Sequence, residues 1–427
     1  MDVVCSPPAL SYPDGGQQTP AALQAIKQLV RLLMAREDAS RLQPLAPLPR
    51  AGPALLASLG ELPAVDLLAT IRRQRLECLL HADPYVAELL PALWPSLQRL
   101  ARRETMAALA LASLTREISS LLQQAQIPLL VIKGVPLALQ TTSSIASRGR
   151  GDLDLFVDPS DVVRTVAVLQ AAGFQTIRTC DLGFTDASLL GRYCRWLHYE
   201  LPLSRQKGVA VQSIDLHWRL DLSYKALPTF RRCHAQRRSV LIGVTSICTL
   251  DLPYAFQHAC AHAAKDNWMC LRNLVDIHRL ARIVDHDLLI ALQSYSYVRS
   301  SCLVTHELTG LPLQMPPVRQ LPAPAKSIIQ KAGIYQLLVW RQAPTQPPYR
   351  SLVPGLLRQF KSLMDLKDFN RSSPGLMGFL AELMRIVVPL NSLVNPATGR
   401  LTLPVGFYIT RFKRYFHRII LQVTTAK

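Results

Sequence analysis

Three acidic residues stand where a β-strand gives no compositional reason for them. In "RGRGDLDLFVDPSD", Arg148 to Asp161, Asp152 and Asp154 are one residue apart at the mouth of the apolar run Leu155-Phe156-Val157. In "SIDLHW", Asp215 interrupts a second β-patterned run. Aspartate is depleted in strands. Residues i and i+2 of a strand face the same side, roughly 6.5–7 Å apart. Asp152 and Asp154 are therefore expected to project together, with Leu153 and Leu155 entering the core from the other face. Adjacent carboxylates repel, and burying them unpaired is costly. A hard divalent cation removes both difficulties, because Mg²⁺ takes one or two carboxylates and keeps water or phosphate on its other positions. Arg148 and Arg150 could neutralise the pair instead. If the two strands are neighbours, Asp215 completes a three-carboxylate cluster of the kind that holds two metals about 3.5–4 Å apart. Its plainer reading is an edge residue paired with His217 or Arg219.

Other residues bear on the same chemistry. "VIKGVPLALQ" is a short strand ending at Lys133-Gly134 and running into a helix, whose N-terminus and backbone N–H groups suit an anion. Lys133 adds a point charge for a phosphate, although a lysine at a surface turn needs no such role. His258 and His262 are four apart on one helical face, with Asp266 a turn further on. That spacing suits zinc, but Ala259 stands where H-E-x-x-H requires Glu, and histidines bonded to their neighbours explain the spacing as well. Asp276 in "LVDIH" either orients one of those histidines or pairs with Arg272 or Arg279. No G-x-S-x-G elbow and no full Walker or Rossmann fingerprint occurs. Cys194, Cys260 and Cys270 lie in apolar surroundings and read as small core residues.

The elements that must position these residues follow from periodicity. After an aperiodic lead-in over 1–19, helical patterns fill 20–125, clearest in "ETMAALALASLTREISSLLQQAQ". The period then shortens. "IPLLVIKG", "DLDLFVD", "FQTIRTC", "YCRWLHYELPL" and "GVAVQSIDLHWRL" read as strands of an α/β unit over 126–250. Asp158 is expected to cap the helix of "DPSDVVRTVAVLQAAG" and Gly173 to close it. Helical patterns return over 251–310, in "DLPYAFQHACAHAAK", "WMCLRNLVDIHRLARIV" and "HDLLIALQSYSYV". The segment 311–427 is punctuated by proline and ends in the basic aromatic stretch "FYITRFKRYFHRII".

At 427 residues, 49% hydrophobic, the chain can bury a sizeable core. Its formal charge of +19 favours polyanionic partners without choosing among nucleotides, nucleic acid and an anionic membrane. Nine cysteines without a C-x-x-C pair read as reduced thiols, which predicts a cytoplasmic location. No signal peptide and no apolar run of membrane-spanning length is read, so the protein is expected to be soluble or peripheral. Residues 405–420 could touch the inner face of a membrane or another polyanion. No obligate nucleic acid is expected.

Taken in order, "LLVIKGVPLAL…RGRGDLDLFVDPSDVVRTVAVLQAAGF…IDLHWRL…QHACAHAAKDNWMCLRNLVDIHRL" resembles the uncharacterised bacterial nucleotidyltransferase family of the polymerase-beta-like nucleotidyltransferase superfamily. The match falls on Lys133, Gly134, Arg148, Asp152, Asp154, Asp215, His217, Trp218, His258, His262 and Asp276, and extends over about residues 105–285. The resemblance implies an α+β fold, with a small mixed sheet flanked by N-terminal and C-terminal helical regions. It implies Asp152, Asp154 and Asp215 as catalytic and metal-binding residues, with Mg²⁺ or Mn²⁺ as cofactor. Lys133, Gly134, Arg148, His217, His258 and His262 would then face an NTP substrate. Lys133-Gly134 stands where the wider superfamily commonly has Gly-Ser. The implied reaction moves a nucleoside monophosphate from the NTP to a hydroxyl of an unknown small-molecule or protein acceptor. The alternatives are a catalytically silent binding protein of the same fold, or a basic protein that binds nucleic acid or a membrane surface.

Overall fold

The computed structural model describes residues 19–44, 46–176, 195, 199–208, 210–220, 227–311 and 323–338. Apart from Thr19, the lead-in lies outside them. So do Cys194, most of 311–427 and the whole basic aromatic tail.

Thr19 accepts a hydrogen bond from the Ala22 amide (3.1 Å), and Pro20 occupies the first turn of α1 (Pro20–Leu42). Four short helices follow: α2 (Pro53–Glu61), α3 (Ala64–Arg73), α4 (Glu77–Ala82) and α5 (Tyr85–Leu89). The long α6 (Trp94–Gln124) is rich in Ala and Leu and has no proline beyond its first turn. Its buried residues Ala108, Ala112, Thr115, Ile118 and Leu122 recur every three or four positions, the stripe a helix needs to lie along a core.

The sheet elements come next: β1 (Leu130–Ile132), α7 (Gly134–Thr142), β2 (Leu153–Phe156), α8 (Val162–Ala171), β3 (Gln175–Thr176), β4 (Glu200–Lys207) and β5 (Ala210–His217). Their spatial order is β1-β2-β5-β4-β3. Only β2 and β5 run parallel; the other neighbours are antiparallel. Beyond the sheet lie α9 (Phe230–Ala235), β6 (Arg238–Ile242) and β7 (Thr245–Thr249). The chain then turns helical, through α10 (Leu252–Lys265), α11 (Leu271–Ala281), α12 (His286–Leu292), α13 (Ser296–Thr309) and α14 (Ala323–Leu338).

The two faces of the sheet meet different neighbours. Leu153, Leu155, Leu201, Leu203, Ile214 and Leu216 pack on α6 and α8. Leu130, Ile132 and Phe156 join the core built with α1, α10, α11 and α13. Strand alternation places Asp154, Asp215, His217 and Glu200 on this second face. Burying each Leu or Ile on the first face contributes about 1.5–3 kcal/mol, whereas the whole β-propensity scale spans about 1 kcal/mol. The apolar face therefore wins, and the aspartates are carried into the sheet with it.

Local structure departs from the sequence reading in four places. The strand containing the acidic pair begins at Leu153, so Asp152 precedes it and is exposed. The following helix begins at Val162, and Asp158 caps a tight turn instead, accepting from the amide (3.0 Å) and hydroxyl (2.7 Å) of Ser160. Gly173 does close that helix, with φ +88°. The pattern from His286 onward breaks into α12 and α13. The β6–β7 hairpin was not anticipated; it turns at Gly243, whose φ is +63°. Among the described residues, no single helix is long and apolar enough to cross a membrane.

Candidate active site

In the parallel β2–β5 pair, Asp154 lies directly opposite Asp215. On the other side of β2, Asp154 lies opposite Ile132, the last residue of β1. The chain then kinks: Lys133 and Gly134 both have positive φ, 61° and 51°. For a lysine this conformation costs about 1–3 kcal/mol and needs surroundings that hold it. Here it brings the ammonium of Lys133 to 2.7 Å from Asp154 Oδ1. His217 Nε2 donates to the same oxygen at 3.1 Å, and its Nδ1 lies 3.6 Å from Glu200 Oε2. Asp154 and His217 are 3% and 2% exposed.

The two facing carboxylates titrate in opposite directions. Burial alone would raise Asp154, but the Lys133 charge and the His217 hydrogen bond hold it at about 2. Asp215 is pushed up to about 6 by burial and by the negative charge of Asp154, with Glu200 and Asp152 adding to the repulsion. Among the described residues no ion-pair partner reaches it. The neutralisation considered for Arg148 and Arg150 is thus carried out by Lys133, while Arg150 lies 3.5 Å from Glu104.

The turn and the acid strand are in close backbone contact. A Cβ added at Gly134 would sit 2.9 Å from the Asp152 carbonyl oxygen. One added at Gly151 would be 3.3 Å from the Gly134 Cα. Neither position has room for a side chain, so the N-terminus of α7 is seated directly against the start of β2.

Across from the sheet, α10 carries His258 and His262. Burial and then the Lys133 charge lower both well below the ordinary histidine range, so both are neutral at pH 7. His258 is buried, and His262 Nδ1 lies 3.5 Å from Asp266 Oδ2. Asp276 of α11 pairs with neither histidine, nor with Arg272 or Arg279 as considered from the sequence. It takes Arg148 in a buried fork, with Nε 3.0 Å from both carboxylate oxygens and Nη2 2.8 Å from Oδ2. Arg279 pairs with Glu37.

The three-carboxylate metal cluster is not assembled. Among the described residues no group of three or more His, Cys, Asp and Glu could hold a metal ion. Asp154 and Asp215 remain, with Asp152 exposed beside them. The charge that Asp215 resists carrying is the observation that tests the fit: two acids opposed across a parallel pair suit a cation with oxygen preference. Mg²⁺ fits this donor set, since it is usually held by one or two carboxylates plus water and phosphate. A closed zinc site does not.

A small mixed sheet thus carries two opposed carboxylates at its centre, with a helix N-terminus beside them. Residues 62–295, just over half of the chain, match the family described as "Uncharacterised nucleotidyltransferase", and the chain belongs to that family. No curated protein and no solved structure matches it.

Proposed function

We propose that this protein transfers a nucleoside monophosphate from an NTP to a hydroxyl of a small-molecule or protein acceptor, releasing pyrophosphate, in the manner of the polymerase-beta-like superfamily. The observation that carries this reading is the register of Asp154 against Asp215, with Lys133 at the same carboxylate. Asp154 and Asp215 would hold Mg²⁺, which when bound supplies charge stabilisation at the phosphates. His217 fixes the orientation of Asp154. Lys133 and the first turn of α7 bind the phosphates. The acceptor oxygen attacks the α-phosphorus, the bond to the bridging oxygen breaks, and pyrophosphate leaves. The proton of the acceptor goes to Asp215, the carboxylate that faces Asp154 across the parallel pair.

The test is transfer of label from α-³²P-labelled NTPs, supplied one at a time, to molecules of a cell extract. Wild type is expected to label an acceptor, and Asp154→Asn and Asp215→Asn are expected to lose the activity while remaining folded. Full activity in both variants would remove the assignment. The Lys133–Asp154 ion pair favours one second reading, a nucleotide-binding protein without catalysis, because a lysine already occupies the acid. Nucleotide-dependent thermal stabilisation without any labelled acceptor would select it.

A further inference from the structure

Two buried guanidinium groups flank the chain just before β2. Arg148 and Arg272 are each 8% exposed. Arg272 Nη1 donates to the Arg150 carbonyl at 2.6 Å. A Cβ at Gly151 would lie 3.2 Å from Arg148 Nη1. Both side chains therefore bracket the Arg150–Gly151 step that rests on the Lys133-Gly134 turn.

Their charges are not balanced. Asp276 is the carboxylate bonded in this cluster, and among the described residues its side-chain hydrogen bonds go to Arg148. Glu104 is engaged by Arg150, and Lys133 by Asp154. Glu77 of α4 is within electrostatic range of Arg272 but not within ion-pair distance, and burial pushes it up to about 7. Arginine keeps its charge in proteins. Burial and the proximity of Arg148 bring even Arg272 down to about 10. Among the described residues, Arg148 Nη1 and Arg272 Nε are both buried without a hydrogen-bond partner. Two like charges, each with an unused N–H, have one directly bonded carboxylate between them, Asp276, with Asp154 in electrostatic range of Arg148. Buried charges are ordinarily paired, and the partner missing here is an anion.

We infer that Arg272, together with Arg148, forms a subsite for a phosphate group of the polyphosphate chain, on the Gly134–Gly151 side of Asp154. The inference rests on the nucleotide reading above and adds a residue to it. Guanidinium forks suit phosphate oxygens, which accept charge-assisted bonds in pairs. Asp276 then serves as the positioning residue that keeps Arg148 in its fork.

The test measures binding of inorganic tripolyphosphate with Mg²⁺ to the full chain by calorimetry, and of Mn²⁺ alone by electron paramagnetic resonance. Arg272→Gln is expected to weaken tripolyphosphate binding about 10–100-fold, the loss of one or two charge-assisted bonds. Its affinity for Mn²⁺, held by Asp154 and Asp215, is expected to stay within about twofold, a separation that general loss of structure would not produce. Should Arg272→Gln fold poorly, Arg272→Lys keeps the charge and loses the fork, and is expected to bind tripolyphosphate at an intermediate affinity. Wild-type affinity for tripolyphosphate in both variants overturns the subsite and leaves the nucleotide reading in place. Failure of the wild type to bind tripolyphosphate or any NTP overturns both.

Discussion

Replacing Asp215 by Asn should make the protein more stable, by an amount that depends on pH. In the folded state Asp215 titrates near 6, against about 3.8 in the unfolded chain. Between those values the folded state binds more protons, so stability falls as pH rises. The contribution is fully present below pH 3.8 and is lost as pH passes 6. A displacement of about two pKa units corresponds to about 3 kcal/mol, discounted to about 2–3 kcal/mol because Asp215 retains some contact with water. Asparagine is never charged and escapes the loss. Asp215→Asn and wild type should therefore differ by only about 0.5 kcal/mol at pH 4, by about 1.5 kcal/mol at pH 5, and by about 2–3 kcal/mol at pH 8. Denaturant midpoints at constant slope, measured from pH 4 to 8, give the difference directly. Millimolar Mg²⁺ at pH 8 should stabilise the wild type more than the variant, because only the wild type has both carboxylates to offer. A variant that is no more stable than wild type at pH 8, or a gap that does not change with pH, would refute the reasoning.

Other substitutions probe the surrounding structure. Lys133→Met removes the cation from Asp154; the acid-side stability of about 2 kcal/mol, present above pH 3.8 and lost towards pH 2 in wild type, should shrink in acid denaturation curves. Asp276→Ala leaves Arg148 buried and uncompensated and should cost about 3–5 kcal/mol by chemical denaturation. Gly134→Ala must place a methyl against the Asp152 carbonyl at a positive φ, and should lower stability by at least about 1–2 kcal/mol. Leu155→Ala empties a fully buried site between the sheet and the α6–α8 layer and should cost about 2–5 kcal/mol, with a matching fall in the unfolding midpoint.

The sequence already carried the reason for the placement of Asp154 and Asp215. Each is flanked by Leu or Ile that period-two alternation sends to the opposite face, and the structure puts both acids on one face in register. The family's site residues recur at wide separations, which is why their resemblance could be read along the chain before any contact was known. Asp152 lies one residue before the ladder and is exposed, because the strand begins only at Leu153. Partners distant along the chain were not legible at all. Nothing local to Arg148 points to Asp276, 128 residues away, and nothing near Lys133 says that its strained backbone aims it at a carboxylate. Arg272 reads from the sequence only as a candidate partner of Asp276, because its surroundings exist only once α11 is packed. The β6–β7 hairpin did have a local signal, an alternating run broken by Gly243.

The contact of Gly134 with the Gly151–Asp152 backbone has a mechanical consequence. With no side chain between them, the start of α7 and the strand that carries Asp154 cannot slide past one another. The Lys133-Gly134 turn and the main chain that leads into β2 therefore move as one body.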